Sequence, residues 1–110
     1  MTQTFEVFMS GPAEQDLIEI ARHVAAYASK VAAERLIGGL LDCVSTLERF
    51  PSRGSVPAEL ADMGISDFRQ LIFQAYRMVY RVVGDSVFVV MVADGRRDMQ
   101  QLLERRLLSR

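Results

Sequence analysis

Residues 76–98 read Y-R-M-V-Y-R-V-V-G-D-S-V-F-V-V-M-V-A-D-G-R-R-D, and a leucine-spaced segment, M-Q-Q-L-L-E-R-R-L-L, follows at 99–108. Two β-type runs meet at Gly84-Asp85. That pair suits a two-residue hairpin turn, because glycine reaches positive φ at little cost. In the first run Tyr76, Met78, Tyr80 and Val82 alternate with Arg77, Val79, Arg81 and Val83, so the arginines share one face. The second run, Val87–Ala93, is apolar throughout, as expected of a central strand covered on both sides. It ends in Arg96-Arg97, where the spacing predicts a last helix over Arg97–Ser109 with Met99, Leu102, Leu103 and Leu107 buried.

Working outward, Phe68–Phe73 reads as a further strand. Residues 51–67 carry Pro51, Gly54, Pro57 and Gly64 and read as a loop with one helical turn at Ala58–Asp62. Upstream, Leu36, Leu40, Val44 and Leu47 mark the apolar stripe of a helix running from a Ser29 cap to about Arg49. Pro51 disfavours its continuation through Phe50. Gly38-Gly39 in mid-helix costs about 1 kcal/mol per glycine relative to alanine, which points to a close neighbour there. Ala13, Leu17, Ile20, Ala21, Val24 and Ala28 form the stripe of an earlier helix, roughly 12–28. Pro12 suits its first position, and Glu14 and Asp16 suit its first turn. Phe5, Val7 and Met9 mark a short opening strand. The expected class is α+β, order β-α-α-β-β-β-α: a helical hairpin packed on a small antiparallel meander sheet, with a C-terminal helix.

The chain has 110 residues, half of them hydrophobic, which suits one modest core and a single domain over 1–110. No apolar run is long enough to cross a membrane, and the N-terminus lacks the pattern of a signal peptide, so the expected location is cytoplasmic. One cysteine and one histidine exclude an internal disulfide and make a structural zinc site implausible. Cys43 reads as a small buried helix residue. No metal and no cofactor are expected. The net charge of −1 hides an asymmetry: residues 1–68 sum to −5 and residues 69–110 to +4. Such polarity fits a basic face for nucleic acid or an acidic partner, and it equally fits two halves that attract each other.

No phosphate loop, nucleophile elbow or paired-histidine helix is present. His23 reads as a surface or packing residue. The arginines remain as candidates, because a guanidinium fork matches phosphates and carboxylates. Arg69, Arg77 and Arg81 sit on strands, and Arg96 and Arg97 stand where the last helix begins, a place suited to an anion. The competing role for Arg96 or Arg97 is pairing with Asp94, Asp98 or an acidic residue from the first half of the chain. Arg105, Arg106 and Arg110 complement the last helix's dipole.

With those residues in view, the chain resembles the RelE/ParE family of toxins from bacterial type II toxin–antitoxin operons. The resemblance rests on Tyr76–Val82, the Gly84-Asp85 turn, Gly95-Arg96-Arg97-Asp98 leading into Leu102-Leu103, Ala13-x-x-Asp16-Leu17-x-x-Ile20, and Leu47-x-x-Phe50-Pro51-x-x-Gly54. It implies a cognate antitoxin that wraps the toxin with an otherwise flexible segment and is of ribbon-helix-helix type at its other end. Contact with operator DNA would then be indirect, through that antitoxin, and a role in plasmid stabilisation is implied as well. RelE-like relatives cleave messenger RNA on the ribosome; here Arg69, Arg77, Arg81 and Arg96 would clamp the phosphate. ParE-like relatives inhibit DNA gyrase without established catalytic residues; here Arg77, Arg81, Arg96 and Arg97 would bind target or antitoxin. Many relatives carry histidine where this chain has Asp94. A carboxylate beside two arginines stays ionised and makes a poor acid. The resemblance therefore implies a non-catalytic, gyrase-directed toxin ahead of a ribosome-dependent RNase, with a non-toxic interaction module as a third reading.

Overall fold

The structure, a computed structural model, describes residues 3–108. Its elements are β1 (Glu6–Met9), α1 (Gly11–Tyr27), α2 (Lys30–Ser45) with a 3-10 turn at Thr46–Glu48, α3 (Ala58–Ala61), β2 (Arg69–Phe73), β3 (Tyr76–Val83), β4 (Ser86–Asp94) and α4 (Met99–Leu103), continued by a wider π-type turn to Leu108. The expected α+β order holds. Strands pair in the order β1-β4-β3-β2. The last three form the antiparallel meander, while β1 lies parallel to β4, so the sheet is mixed.

Local chemistry sets the helix starts. Ser10 Oγ accepts the Ala13 N–H at 3.1 Å, and Ser29 Oγ accepts the Ala32 N–H at 3.0 Å. Each cap satisfies one N–H that a helix start leaves without an internal partner. The α1–α2 hairpin covers one sheet face. Leu36, Leu40, Val44 and Leu47 are buried there against Leu71, Met78, Tyr80, Val87, Val89 and Val92. On the other face Leu60, Phe68, Met99, Leu102 and Leu103 cover Val79, Met91 and Ala93. β4 is thus central and covered on both sides.

The register slips by one residue where Val79 faces Met91 but Tyr80 faces Val89, leaving Val90 as a bulge. Val90 and Met91 consequently both turn toward the α4 side. β1 ends beside this bulge, with Ser10 N–H still donating to Val89 O at 2.9 Å. Beyond that point two distant side chains replace the missing strand. The Asp16 carboxylate accepts the Val92 N–H at 2.9 Å, and Arg106 Nη2 donates to Val90 O at 3.1 Å. Arg106 also pairs with both Asp16 oxygens, at 2.9 and 3.0 Å. The dipole role expected of Arg106 is therefore corrected: it fastens the C-terminal segment to α1 and β4.

A second correction concerns the last helix. It begins at Met99, because Asp98 takes the N-cap position and accepts the Gln101 N–H at 3.1 Å. Arg96 and Arg97 precede it in a turn closed by Gly95 N–H to Ala75 O and Arg97 N–H to Asp94 O. The helix start expected to assist Arg96 and Arg97 already carries the Asp98 carboxylate on its Gln101 N–H. The expected end at Ser109, and Arg110, lie outside the described residues.

The two mid-helix glycines separate cleanly. A Cβ on Gly38 would meet nothing within 4 Å, whereas one on Gly39 would lie 2.7 Å from Phe73 Cε2. Gly38→Ala should therefore stabilise by about 0.5–1 kcal/mol, the helix-propensity gain. Gly39→Ala should instead cost about 1 kcal/mol net, because overpacking exceeds that gain. Urea midpoints of the two variants check this, and equal shifts would refute the close approach.

Candidate functional site

The arginines expected to act together are largely held by separate partners. Arg69 pairs in register with Tyr80 on the hairpin face, and its Nη1 donates to Gly54 O at 2.6 Å. It secures the loop after α2. Arg77 and Arg81 lie on the opposite face. Arg77 Nη1 donates to both Glu59 oxygens at 2.9 Å, with both side chains about one-fifth exposed. Burial pushes the Glu59 carboxyl up, but the hydrogen bond from Arg77, Glu59's own backbone and the Arg77 charge together leave it below its ordinary value. Arg81 is exposed, its guanidinium carbon 5.8 Å from the centre of the Phe68 ring. Arg96 binds Asp94 in a forked contact of 2.6–3.2 Å. The Glu59–Arg77 and Asp16–Arg106 pairs join the acidic and basic halves of the chain.

A cleft of about 300 Å³ opens between α1 and the adjoining ends of β3 and β4. Glu19 and His23 line it from α1, Tyr76 from β3, and Asp94 and Arg97 from the end of β4 and its turn. The sequence alone reads His23 as a surface or packing residue. In the fold it is exposed and packs on Tyr27 with ring centres 4.6 Å apart, yet it shares the cleft with Tyr76, Asp94 and Arg97. The available signal is spacing: Asp16, Glu19, Ile20 and His23 recur at helical intervals and define one face of α1.

Asp94 is the titratable centre of this cleft. Hydrogen bonds from the Arg96 guanidinium come first in lowering its pKa; burial opposes them, and the Arg96 N–H and nearby positive charge assist. The result is a fall from the ordinary 3.8 to about 2. Asp94 is thus a carboxylate at neutral pH, with no proton to donate. A lowered folded-state pKa stabilises above the unfolded value and loses that contribution as pH falls through the folded one. Asp94→Asn should therefore be less stable than wild type above about pH 4 and converge with it near pH 2. Denaturation midpoints at several pH values measure this, and a constant gap would count against the pair.

A second concavity, an apolar groove of about 570 Å³, lies on the outer side of the helical hairpin. Small residues (Ala21, Ala25, Ala33, Gly38) form it with Ile37 and Leu41, and Arg22, Lys30 and Glu34 stand at its margin. Among the described residues no group of three or more His, Cys, Asp or Glu is arranged to hold a metal ion. No described helix is long and apolar enough to cross a membrane. Cys43 is a free, half-buried thiol.

The family model for the ParE toxin of the type II toxin–antitoxin system parDE matches residues 7–99. Several solved structures share the fold. A chain from the chromosomal ParDE system of P. aeruginosa superposes with a TM-score of 0.71 at 17% identity, covering 84% of this chain and 97% of that one. One from the toxin–antitoxin complex RelBE2 of Mycobacterium tuberculosis gives 0.61 at 18% identity, covering 86% and 94%. A double-arginine mutant of E. coli toxin RelE in the free state gives 0.55 at 16% identity, covering 94% and 99%. No curated protein matches the sequence. Identities this low speak to the fold alone, which is that of the RelE/ParE toxins. The family model covers most of the sequence, and the chain belongs to the ParE toxin family of type II toxin–antitoxin systems.

Proposed function

We propose that this chain is a ParE-like toxin that poisons DNA gyrase and is neutralised by a cognate antitoxin. The observation that carries the reading is Asp94, held ionised by Arg96 at the mouth of the cleft. A carboxylate that stays ionised across the physiological range has no proton to give as a general acid. The arginines agree with a binding role. Arg69 and Arg77 are occupied in holding the loop and α3 and Arg96 is paired with Asp94, which leaves Arg81 and Arg97 of this group outside the ion pairs, Arg97 acting on Asp94 through its charge. The matched family is that of ParE toxins. The ParDE and RelBE2 structures are of toxin–antitoxin systems, which supports an antitoxin partner here. The apolar groove on the hairpin is a seat for one amphipathic helix of that partner, since its small residues allow close backbone approach. Gyrase, a ribbon-helix-helix antitoxin, indirect contact with operator DNA, plasmid stabilisation and a cytoplasmic location form one consistent picture.

One observation favours the second reading, a ribosome-dependent messenger RNase. His23, Tyr76 and Arg97 share the cleft and include types used for proton transfer and phosphate stabilisation. Expressing the chain alone in cells separates the two. The gyrase reading expects DNA-damage signalling and loss of plasmid supercoiling, unchanged by His23→Ala. The RNase reading expects messenger cleavage that His23→Ala or Arg81→Ala abolishes. Growth unaffected by the chain alone would favour a non-toxic interaction module.

A further inference from the structure

The sheet face opposite the helical hairpin is covered only in part. Beyond the α4 contacts two transverse rows of this face stay open: Glu6, Ser86 and Val83 in one, and in the next Phe8 of β1 facing Phe88 of β4, which faces Arg81 of β3. The two rings stack with centres 5.4 Å apart and planes 19° from parallel. They remain 42% and 36% exposed. Arg81 rests on the Phe68 ring beneath it, and no described carboxylate pairs with it. By contrast Arg69, Arg77, Arg96 and Arg106 all have protein partners. Aromatic rings beside an arginine are the composition of an interface hot spot.

The size of the row decides its occupant. At about 200 Å² per phenylalanine, those exposures leave roughly 150 Å² of open aromatic surface. A stable interface between two folded proteins buries about 800 Å² on each. The two rings alone do not make such an interface with a second copy of the chain, but they suffice to anchor a slim segment that continues elsewhere. The row's charge decides the chemistry: the unpaired guanidinium calls for a carboxylate, and the ring pair for an apolar side chain. Glu6 stands on the same face as Phe8, two residues before it in β1, which disfavours a polyanion.

We propose that the Phe8–Phe88–Arg81 row docks the flexible inhibitory segment of the antitoxin, taking an apolar side chain on the rings and an Asp or Glu on Arg81. This rests on the toxin–antitoxin reading above and names a surface for it. The row spans two strand spacings, about 10 Å, and an extended chain advances about 3.3 Å per residue. The two anchoring residues therefore lie two to four positions apart in the antitoxin.

The test compares wild type with Phe8→Thr/Phe88→Thr, a change that removes the rings and keeps residues suited to strands. Each is expressed alone and together with the antitoxin reading frame adjacent to the gene, and thermal melts confirm folding. Both proteins should arrest growth alone, only wild type should be rescued, and purified antitoxin should bind the variant at least 10-fold more weakly. Should the double variant fail to fold, Phe8→Glu on the edge strand asks the same question. Rescue equal to wild type overturns the proposal. So does a folded variant that has lost toxicity or that loses affinity for a single-stranded RNA oligonucleotide, since the row then serves the target. A wild-type chain that is harmless, or that no adjacent frame rescues, overturns the toxin–antitoxin reading and this proposal with it.

Discussion

Asp16→Ala is expected to destabilise the fold by about 3 kcal/mol, lowering the melting temperature by about 12–24 °C at 4–8 °C per kcal/mol. Three things fail together. The Arg106 side chain, only 23% exposed, loses the carboxylate that neutralises its guanidinium. Removing one member of a fully buried pair costs about 3–5 kcal/mol, less here because water still reaches both side chains. The Val92 N–H loses its acceptor beside the bulge, and an unsatisfied buried donor costs about 1–3 kcal/mol. The C-terminal segment also loses its tie to α1. Asp16→Asn keeps an acceptor for Val92 and should lose about half as much. A double-mutant cycle with Arg106→Ala should give a coupling of about 1–3 kcal/mol. Arg105→Ala, on an exposed neighbour, should stay within about 0.5 kcal/mol of wild type. An Asp16→Ala protein as stable as wild type would show that the clasp does not hold the sheet edge.

Gly54→Ala should produce a loss of similar size by a different route. A Cβ there would lie 2.6 Å from the backbone oxygen of Gln70 and 2.6 Å from the Tyr80 hydroxyl. The first neighbour is main chain of β2 and the second is fully buried, so neither can move aside cheaply. The Tyr80 hydroxyl donates to Pro51 O at 2.7 Å and accepts the Gly54 N–H at 3.0 Å. Displacing it strands both backbone groups. Overpacking of about 1–3 kcal/mol and the lost hydrogen bonds, about 1 kcal/mol each, give a total of about 3 kcal/mol. Tyr80→Phe, which removes only the hydroxyl, should cost about 2 kcal/mol. The two changes act on one node, so the double variant should lose clearly less than their sum. Full additivity in denaturant unfolding would contradict the shared node.

These two nodes also mark where the sequence stops being legible. The Phe50-Pro51-x-x-Gly54 stretch is visible as a motif, but its purpose depends on Tyr80, 26 positions beyond Gly54. Asp16 and Arg106 lie 90 positions apart and each has an adequate local explanation at a helix end. Local periodicity and capping did reveal the elements: the Leu36, Leu40, Val44 and Leu47 stripe is buried as spaced, and Ser29 caps α2. Side-chain spacing carries no comparable signal for the Val90 bulge or the parallel pairing of β1. Both follow from how strands meet after the chain has folded.

The candidate site shows the same divide. Arg77 and Arg81 share a face as alternation requires, while Arg69, grouped with them by type alone, belongs to the other face. Asp94 was legible as a poor acid because its arginine partner is two residues away. His23 was not legible as a neighbour of Asp94, because only the packing of α1 on the sheet places both in one cleft.

The central claim is a toxin that binds gyrase and does not cut messenger RNA. Purified chain added to gyrase and relaxed plasmid, alongside a translating ribosome assay with labelled messenger, tests it most directly. The account predicts inhibited supercoiling with the messenger intact; unaffected gyrase with cleaved messenger would contradict it.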